Sequence, residues 1–464
     1  MSSISAEENQ QTSVLLITVA AQGHINPMLR LGNLLASKGL HVTLATHDPA
    51  LKDHSSTVGG VHLEYFSDGI PPEHDRQSGD IDFAMNTLGK FGPGNLSALI
   101  RTHSRNFACI INTPFMPWGA DVAAEFALPC AMVWIQPCTV YQIYNCFYNR
   151  LNEFPTENNL DMIVNLPGLP PLCTEELPSF VLPSNSFRSF DGILQEVFHN
   201  LHKVKWVFGN TFLELEKDVI RSVNNAGHSF LPVGPIVPAT LFGKEDNIDG
   251  HLKGTNKFKS GNENDCLEWL DKQPPASVVY ISFGSLLFSS DKQIESIVTG
   301  LKISKRPFLW VVKLPENQET QQVGILEEIK EQGLIVRWSP QTAVLSHPSV
   351  GCFLSHCGWN SLIESVTAGV PVIACPQWTD QPTNAKLVTD VWAIGVKLNK
   401  NLESGNFDGE EMAKCVEEIM TGPRSEEFRK NAAGLKRAAY EAVADGGSSD
   451  KNIQLFVDVV SSCS

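Results

Sequence analysis

A short polar turn between an apolar segment and a helical segment carries residue types that could bind a phosphate group. Residues 350–354 predict a buried strand, and residues 360–368 predict the helix that follows it. Such a unit in a parallel sheet places the N-terminus of the helix at the carboxyl edge, where backbone N–H groups and the helix dipole favour an anion. Four residues here suit a phosphate: His356, Gly358, Asn360 and Ser361.

The residues around this turn could bind the other parts of a nucleotide sugar. Glu364, one helical turn further on, can accept hydrogen bonds from a ribose. An exposed indole at Trp338 would offer a flat surface for a base, while Asp380 and Gln381 carry groups that suit sugar hydroxyls. Phosphate, ribose, base and sugar together indicate a nucleotide sugar as the ligand.

A histidine near the start of the chain is the candidate general base. Residues 14–20 predict a strand and residues 28–38 predict a helix, with Pro27 at its first position and His24 in the loop between them. The loop lies at the carboxyl edge of the predicted sheet, where ligands bind. An imidazole can be neutral near pH 7 and can take a proton from a phenol.

Two series of apolar runs alternate with helical patterns along the chain, which predicts two parallel sheets covered by helices. Residues 241–263 separate the series, because they are rich in Gly, Lys, Asp, Asn and Ser and show no periodic apolar face. The fold class is therefore α/β, with domains at residues 1–240 and 264–447. The proline-rich residues 166–183 are expected to form a surface excursion.

Composition excludes several classes of partner. The chain has 464 residues and a formal net charge of −16, and it has no basic run, which argues against nucleic acid and anionic membranes. Its eleven cysteines show no paired spacing and are expected to be reduced thiols. With no secretory signal and no apolar run of membrane-spanning length, we expect a cytoplasmic protein without membrane insertion, and a monomer.

The stretch from Trp338 to Gln381 resembles the signature box of plant family 1 UDP-sugar glycosyltransferases. It begins with Trp, ends with Gln and contains the core HCGWNS. The resemblance extends along the whole chain and implies a GT-B fold, in which two Rossmann-like domains face each other across a cleft. It also implies an acceptor site in the first domain, a UDP-sugar site in the second, and a C-terminal helix at residues 448–464 that packs back on the first domain.

The resemblance assigns roles within this box. Trp338 would stack on uracil, Gln341 and Glu364 would bind the ribose, and a final Gln usually accompanies UDP-glucose. The pyrophosphate would be bound by His356, Asn360 and Ser361. The sugar hydroxyls would be bound by Trp359, Asp380 and Gln381. Ser339 and Gly358 complete the donor site, so the expected donor substrate is UDP-glucose and no cofactor is expected.

Transfer of glucose requires that the charge of the departing UDP be stabilised. The helix N-terminus, His356 and Ser285 of the SFGS turn can meet this charge. No acidic pair that could hold a metal lies near the proposed phosphate site, so we expect a metal-independent reaction. Attack from the opposite face of the anomeric carbon would invert its configuration.

The residues expected to orient the histidine depart from the pattern of the resembled family. Many relatives place an Asp after a later strand, but here the corresponding stretch carries Asn112 and Thr113. An amide or hydroxyl can fix a tautomer but cannot stabilise an imidazolium as a carboxylate would, so His24 should be a weak base. The acceptor is then expected to be acidic, partly ionised or a phenolate.

Two branches of the resembled family share this departure. One makes glucose esters of aromatic carboxylic acids, and the other consists of flavone 8-C-glucosyltransferases, in which a ring carbon of a polyphenolate attacks. The resemblance favours C-glucosylation of a flavonoid, with O-glucosides or glucose esters as the alternative. The candidates for an aromatic acceptor pocket are Phe91, Phe115, Trp118, Tyr141, Phe187 and Phe283.

Two functions of other classes also fit parts of the pattern. A nucleotide-dependent oxidoreductase would have two Rossmann-like halves, but the chain has no GxGxxG fingerprint. A non-catalytic UDP-sugar-binding protein would keep the signature stretch but could lose His24. Because His24 is present, the enzyme is the favoured interpretation.

Overall fold

The computed structural model describes residues 11–49, 56–71, 73–74, 80–185, 187–246, 248, 263–284, 291–312, 324–400 and 407–462. These residues form two sheets of mainly parallel strands, each covered by helices. The α/β class and the arrangement of two Rossmann-like units, predicted from the sequence, are confirmed.

The first sheet contains eight strands in the order β3-β4-β2-β1-β5-β6-β7-β8. All neighbouring pairs are parallel except β3 and β4. The side chains of the central strands are mainly apolar and are buried on both faces of the sheet, which is typical of parallel sheets. Their bounds are β1 Ser13–Thr18, β2 His41–Thr46, β3 Thr57–Val58, β4 Val61–Tyr65, β5 Phe107–Asn112, β6 Cys130–Trp134, β7 Trp206–Gly209 and β8 Phe230–Pro232.

The second sheet contains six strands in the order β11-β10-β9-β12-β13-β14, and all of its pairs are parallel. Their bounds are β9 Val278–Ser282, β10 Phe308–Val311, β11 Gly333–Val336, β12 Val350–Ser355, β13 Val372–Ala374 and β14 Gly395–Lys397.

Helices cover both sheets. In the described residues they are α1 Gln22–Ser37, α2 Ile81–Thr102, α3 Gly119–Glu125, α4 Cys138–Tyr148, α5 Arg188–His199, α6 Lys217–Asn225, α7 Glu263–Leu270, α8 Asp291–Ser304, α9 Gln341–Ser346, α10 Trp359–Ala368, α11 Gln381–Lys386, α12 Gly409–Met420, α13 Ser425–Val443 and α14 Ser448–Ser462. Helices α2, α5 and α13 were not predicted from the sequence, although their residues form amphipathic helices.

Each sheet reverses its strand order at one point, and ligands bind at such points in open α/β sheets. In the first sheet the reversal lies between β1 and β5, the strands that precede His24 and Thr113. In the second it lies between β9 and β12, where Ser282 pairs with Ser355. The topology therefore brings the candidate residues of each sheet to its binding edge.

The helix that carries His24 begins earlier than predicted. α1 starts at Gln22, so His24 lies in its first turn and Pro27 lies inside the helix. The prediction of a loop at His24, with Pro27 at the first helical position, is wrong. Pro27 cannot donate to the carbonyl four residues earlier, which belongs to Gly23. That carbonyl accepts a hydrogen bond from the second half of the chain, which compensates for the missing donor.

The C-terminal helix α14 packs on the first sheet. The ring of Phe456 lies edge-on to Phe208, with centroids 4.9 Å apart. Asn452 Nδ2 donates to the Pro232 carbonyl at 2.8 Å, and the Ser449 hydroxyl donates to the Gly234 carbonyl at 2.5 Å. The last helix of the chain thus completes the core of the first sheet.

Residues 166–183 do more than form the predicted surface excursion. Leu177 and Phe180 are buried, and two short 3-10 helices, Thr174–Glu176 and Ser179–Val181, lie against residues that follow β13. Prolines indicated the irregular backbone correctly, but backbone irregularity does not determine whether a segment is buried.

We expect Phe456→Ala to lower the Tm by about 5 °C or more, because it leaves a cavity between α14 and the first sheet. Leu455→Ala is the matched control, since Leu455 is the neighbouring residue on the same helix and is 53% exposed. Calorimetry of both variants measures the effect. Equal Tm values for both variants would contradict this role of α14.

Candidate active site

His24 lies at the first turn of α1 in an apolar environment. Its side chain is 8% exposed, and its ring lies 4.5 Å from the ring of Phe115. Among the described residues, no atom hydrogen-bonds to its buried Nδ1. Burial lowers the pKa of His24 to about 3, so the imidazole is neutral at physiological pH and is a weak base.

Asn112 and Thr113 are buried at the end of β5, at the same reversal point as His24. Asn112 Nδ2 donates to the Met116 carbonyl at 3.0 Å. Among the described residues, neither Asn112 Oδ1 nor Thr113 Oγ1 has a hydrogen-bond partner. Neither side chain is bonded to His24, so the orienting role expected of this pair stays a prediction.

A single hydrogen bond joins the two helix N-termini that carry the candidate residues. Asn360 Nδ2, in the first turn of α10, donates to the Gly23 carbonyl in the first turn of α1 at 3.1 Å. Pro27 makes this carbonyl available, because it has no N–H to close the helical bond. The neighbour of Gly23 is His24, so the base candidate is held beside the start of α10.

The turn before α10 adopts the tight conformation that a phosphate site requires. The Ser355 hydroxyl accepts from Cys357 N at 3.1 Å, and Cys357 adopts a left-handed φ of 66°. The imidazole of His356 lies over Gly284 and Gly358, because a Cβ on Gly358 would be 2.4 Å from its Nε2 and one on Gly284 would be 2.8 Å away. Both glycines are needed for this close approach.

The first N–H groups of a helix have no partner within it, so the N-terminus of α10 can donate to an anion. Ser361 lies in this first turn, and its hydroxyl accepts from Gln341 Nε2 at 3.0 Å. The site therefore offers backbone donors, an imidazole and hydroxyl groups to one ligand.

A hydrogen-bonded network orients the groups predicted to bind the ribose. Gln341 Nε2 donates to Glu364 Oε2 at 2.8 Å, and Tyr280 OH donates to Gln341 Oε1 at 3.1 Å. Ser339 is 3.0 Å from the same tyrosine hydroxyl. Gln341 therefore holds the carboxylate of Glu364, and Tyr280, which also contacts Ser339, orients Gln341. Trp338, which follows β11, is partly exposed.

The indole of Trp359 does not face the site. It is 4% exposed, its Nε1 donates to the Asn210 carbonyl at 2.8 Å, and its ring packs near Trp392. Its side chain therefore links the two halves of the chain. What Trp359 offers to a ligand is its backbone N–H at the first position of α10.

The candidate sugar-binding residues, Asp380 and Gln381, are buried where α11 begins. Asp380 Oδ2 accepts from Asn384 Nδ2 at 2.6 Å, and Gln136 of the first half also hydrogen-bonds to Asp380. Burial raises the pKa of Asp380. Gln381 Oε1 accepts from the backbone N–H groups of Gln377 and Trp378 at 2.9 and 3.2 Å, which leaves its Nε2 to donate to a ligand.

A cavity of about 400 Å³ lies beside His24, separated from it by the ring of Phe115. Trp118 also lines it, and its ten described lining residues include no basic side chain. Glu196 is its one acidic lining residue, and burial and then Asp121 raise the pKa of Glu196. The volume is adequate for a small aromatic molecule.

The other aromatic candidates lie elsewhere. Tyr141 and Phe283 are buried in the cores of the two sheets and are not among the described residues that line this cavity. Phe91 is exposed and packs on Gly69, while Phe187 is exposed with its ring 5.0 Å from Trp378. The sequence indicates an aromatic residue near a loop, but the side toward which its ring turns depends on tertiary contacts.

Sequence reasoning missed several residues that support the site. Tyr280 and Asn384 lie inside a strand and a helix, and Asn384 Nδ2 also donates to the Cys357 carbonyl at 2.9 Å. A buried polar residue in an apolar strand, such as Tyr280, was the available signal. Ser285 lies outside the described residues. Among the described residues, no group of three or more His, Cys, Asp or Glu side chains is arranged to hold a metal.

Comparison with known proteins gives a consistent result. Residues 254–438 match the family model described as UDP-glucoronosyl and UDP-glucosyl transferase. The chain is 43% identical to UDP-glycosyltransferase 84B1 of Arabidopsis thaliana, over 97% of this chain and 98% of that protein. It is 38% identical to gallate 1-beta-glucosyltransferase 84A24 of Punica granatum, over 96% of this chain and 88% of that protein.

A solved structure shows the same similarity. The crystal structure of Os79 from O. sativa in complex with UDP superposes with a TM-score of 0.85 at 33% identity, covering 97% of this chain and all of that one. The similarity therefore includes both sheets and the turn between β12 and α10.

The bond between Asn360 and Gly23 can be tested with a double-mutant cycle. We expect Asn360→Ala to cost about 1 kcal/mol in the free energy of unfolding, because Gly23 loses its partner. In a Pro27→Ala background the cost should be smaller, since the N–H of the new alanine can bond to the same carbonyl. Urea denaturation of the four proteins measures the coupling, and additive effects would contradict it.

Proposed function

This chain belongs to the UDP-glycosyltransferase family, and we propose that it transfers glucose from UDP-glucose to a plant polyphenol with inversion at the anomeric carbon. The observation that carries the proposal is the bond between Asn360 and the Gly23 carbonyl. It keeps His24 beside the start of α10, so a base and a stabilised leaving group can act on the same anomeric carbon.

The donor roles follow from the chemistry of the second half. We propose that α10, His356 and Ser361 bind the pyrophosphate, that Glu364 with Gln341 binds the ribose, and that Trp338 stacks on uracil. The Nε2 donor of Gln381 and the carboxylate of Asp380 would bind the glucose hydroxyls. The backbone donors and dipole of α10 stabilise the charge that develops on the departing UDP, so the proposed reaction uses no metal.

The acceptor should supply most of its own nucleophilicity. With a pKa of about 3, His24 is a poor acceptor for the proton of an ordinary alcohol. A polyphenol that loses a proton easily needs little help, because its phenolate makes the neighbouring ring carbons nucleophilic. This supports a polyphenol as the acceptor, and we propose C-glucosylation of a flavone as the reaction, with attack by the phenolate oxygen, which gives an O-glucoside, as the alternative.

The steps of this reaction balance. The phenolic proton passes to His24, the ring carbon forms a bond to the anomeric carbon, and the bond from that carbon to the UDP oxygen breaks. The ring carbon then loses its own proton to solvent, which restores aromaticity, and the proton held by His24 returns to the phenolate oxygen. The products are the C-glucoside, UDP and one proton.

A glucose ester is the second candidate product, because a carboxylate acceptor needs no base at all. The relative named gallate 1-beta-glucosyltransferase supports it. The cavity beside Phe115 argues against it, since its described lining carries Glu196 and no cation that would attract a carboxylate. The polyphenol is therefore our first candidate.

Other properties are also proposals. We propose a cytoplasmic, monomeric enzyme. None of the ten described cysteines is in a disulfide, and nine of them are buried, which supports a reducing compartment. Base and donor site lie on one chain, which supports a monomer. In the described part of the chain, no helix combines the length and apolarity needed to cross a bilayer.

The nature of the product can be decided chemically. We expect the purified protein, given UDP-glucose and a 5,7-dihydroxyflavone, to form a product that survives both acid and base, because a C–C bond resists hydrolysis. A hydroxycinnamic acid is the comparison substrate. A base-labile product from the acid, with no product from the flavone, would contradict C-glucosylation and identify an ester-forming enzyme.

The low pKa of His24 predicts the pH dependence. Because the imidazole stays neutral well below pH 6, kcat/KM should show no acid limb near pH 6.5. Any limb should follow the ionisation of the acceptor, so two flavones of different acidity should give different apparent pKa values. A common value near 6.5 for both would contradict the buried state of His24.

His24→Ala should lower kcat by about 10²-fold for weakly acidic phenolic acceptors, which need the imidazole to take their proton, and much less for an acceptor that is already ionised at the assay pH. The Kd for UDP, measured by calorimetry, should change little, since His24 is placed on the acceptor side. Equal losses in UDP affinity and turnover would show that the histidine is structural.

A further inference from the structure

A serine of the first half of the chain is hydrogen-bonded to the turn that precedes the proposed sugar-binding residues. Ser179 N donates to the Thr379 carbonyl at 2.8 Å, and Thr379 N donates to Ser179 Oγ at 2.9 Å. Both backbone groups of Thr379 are therefore bonded to one residue 200 positions away in the sequence. Asp380 and Gln381 follow directly.

Thr379 has a conformation that it would not adopt unaided. Its φ is 55°, in the left-handed region that a β-branched residue rarely enters. Such a conformation persists when the surrounding structure holds it. Here the two bonds from Ser179 hold the backbone of Thr379. The Thr379 hydroxyl is also fixed, because it donates to Asp380 Oδ1 at 2.8 Å.

The same segment of the first half also holds the helix that follows the turn. The Thr383 hydroxyl donates to the Glu176 carbonyl at 2.7 Å. The carboxylate of Glu176 lies 2.9 Å from Lys386 Nζ, at the end of α11. Residues 176–179 thus contact the turn before α11, the middle of α11 and its end. They therefore constrain the position of the whole helix that begins with Gln381.

The segment also reaches the acceptor side through a row of aromatic rings. The ring of Phe180 stacks on Phe190 at 5.7 Å, and Phe190 lies 5.1 Å from Phe115, which contacts His24. Residues next to each other in the chain therefore support the turn before the proposed sugar site and the wall of the cavity beside Phe115.

We propose that Ser179 is a positioning residue for recognition of the donor sugar. It acts by holding Thr379 in the left-handed conformation, which directs Asp380 and Gln381 toward the glucose hydroxyls. This inference rests on the proposed function, because it requires that these two residues bind the sugar. Ser179 itself touches no substrate, and the uracil and phosphate contacts do not depend on it.

The test is Ser179→Ala, which removes the acceptor for Thr379 N but keeps the backbone bond. We expect kcat/KM for UDP-glucose to fall about tenfold, the size expected for one hydrogen bond, and the preference for UDP-glucose over UDP-galactose to fall by a similar factor. The Kd for UDP should stay within about twofold. Ser179→Thr, which restores a hydroxyl, should recover the preference.

Ser296→Ala is the matched control, because the Ser296 hydroxyl bonds within α8, to the Lys292 carbonyl. It should leave every parameter unchanged. An unchanged donor preference in Ser179→Ala would overturn the proposal. An equal loss of UDP affinity and kcat/KM would overturn it too, because it would indicate a general structural role.

A second variant separates this inference from the proposed function. Gln381→Glu keeps an oxygen to accept from Gln377 and Trp378 but replaces the Nε2 donor. If it changes the donor preference while Ser179→Ala does not, Gln381 binds the sugar and only the role of Ser179 fails. If neither variant changes it, the proposal fails together with the assignment of the sugar to this turn.

Discussion

The bond between Asn360 Nδ2 and the Gly23 carbonyl joins the two sides of the candidate active site. It joins the first turns of α1 and α10, the helices that begin at the reversal points of the two sheets. Pro27 has no N–H to donate to this carbonyl, so α1 lacks one internal hydrogen bond. The carbonyl is therefore available for a contact between the two halves of the chain. Together with the contacts of Trp359 and Ser179 across the two halves, this bond keeps His24 close to the start of α10.

The two sides of the site use different electrostatics. On the donor side, backbone N–H groups and the dipole of α10 offer positive charge to an anion without burying an ionised side chain. On the acceptor side, His24 is buried against Phe115 and has no carboxylate partner among the described residues, so burial keeps it neutral. In the proposed reaction α10 stabilises the departing UDP while the base provides little, and the acidity of the acceptor should therefore determine which molecules react.

Much of the donor site is already organised by hydrogen bonds within the protein. Tyr280 orients Gln341, which in turn orients Glu364. Asn384 connects the turn before α10 to Asp380. Preorganisation of this kind lowers the entropy cost of binding, because the ligand does not have to order these side chains. Apart from the bond between Asn384 and Asp380, these connections join residues from different elements, so the site depends on the packing of α9, α10 and α11 against the second sheet.

The sequence by itself determined the α/β class, most strands, and the set of candidate donor-site residues from Trp338 to Gln381, because apolar period, turn chemistry and motif spacing are local properties of the chain. Tertiary structure decided where individual side chains point. The indole of Trp359 turns to Asn210 instead of the sugar, Tyr141 lies in the core, and α1 begins before Pro27. In each case a partner far away in the sequence supplies the deciding contact, and no local pattern encodes such a partner.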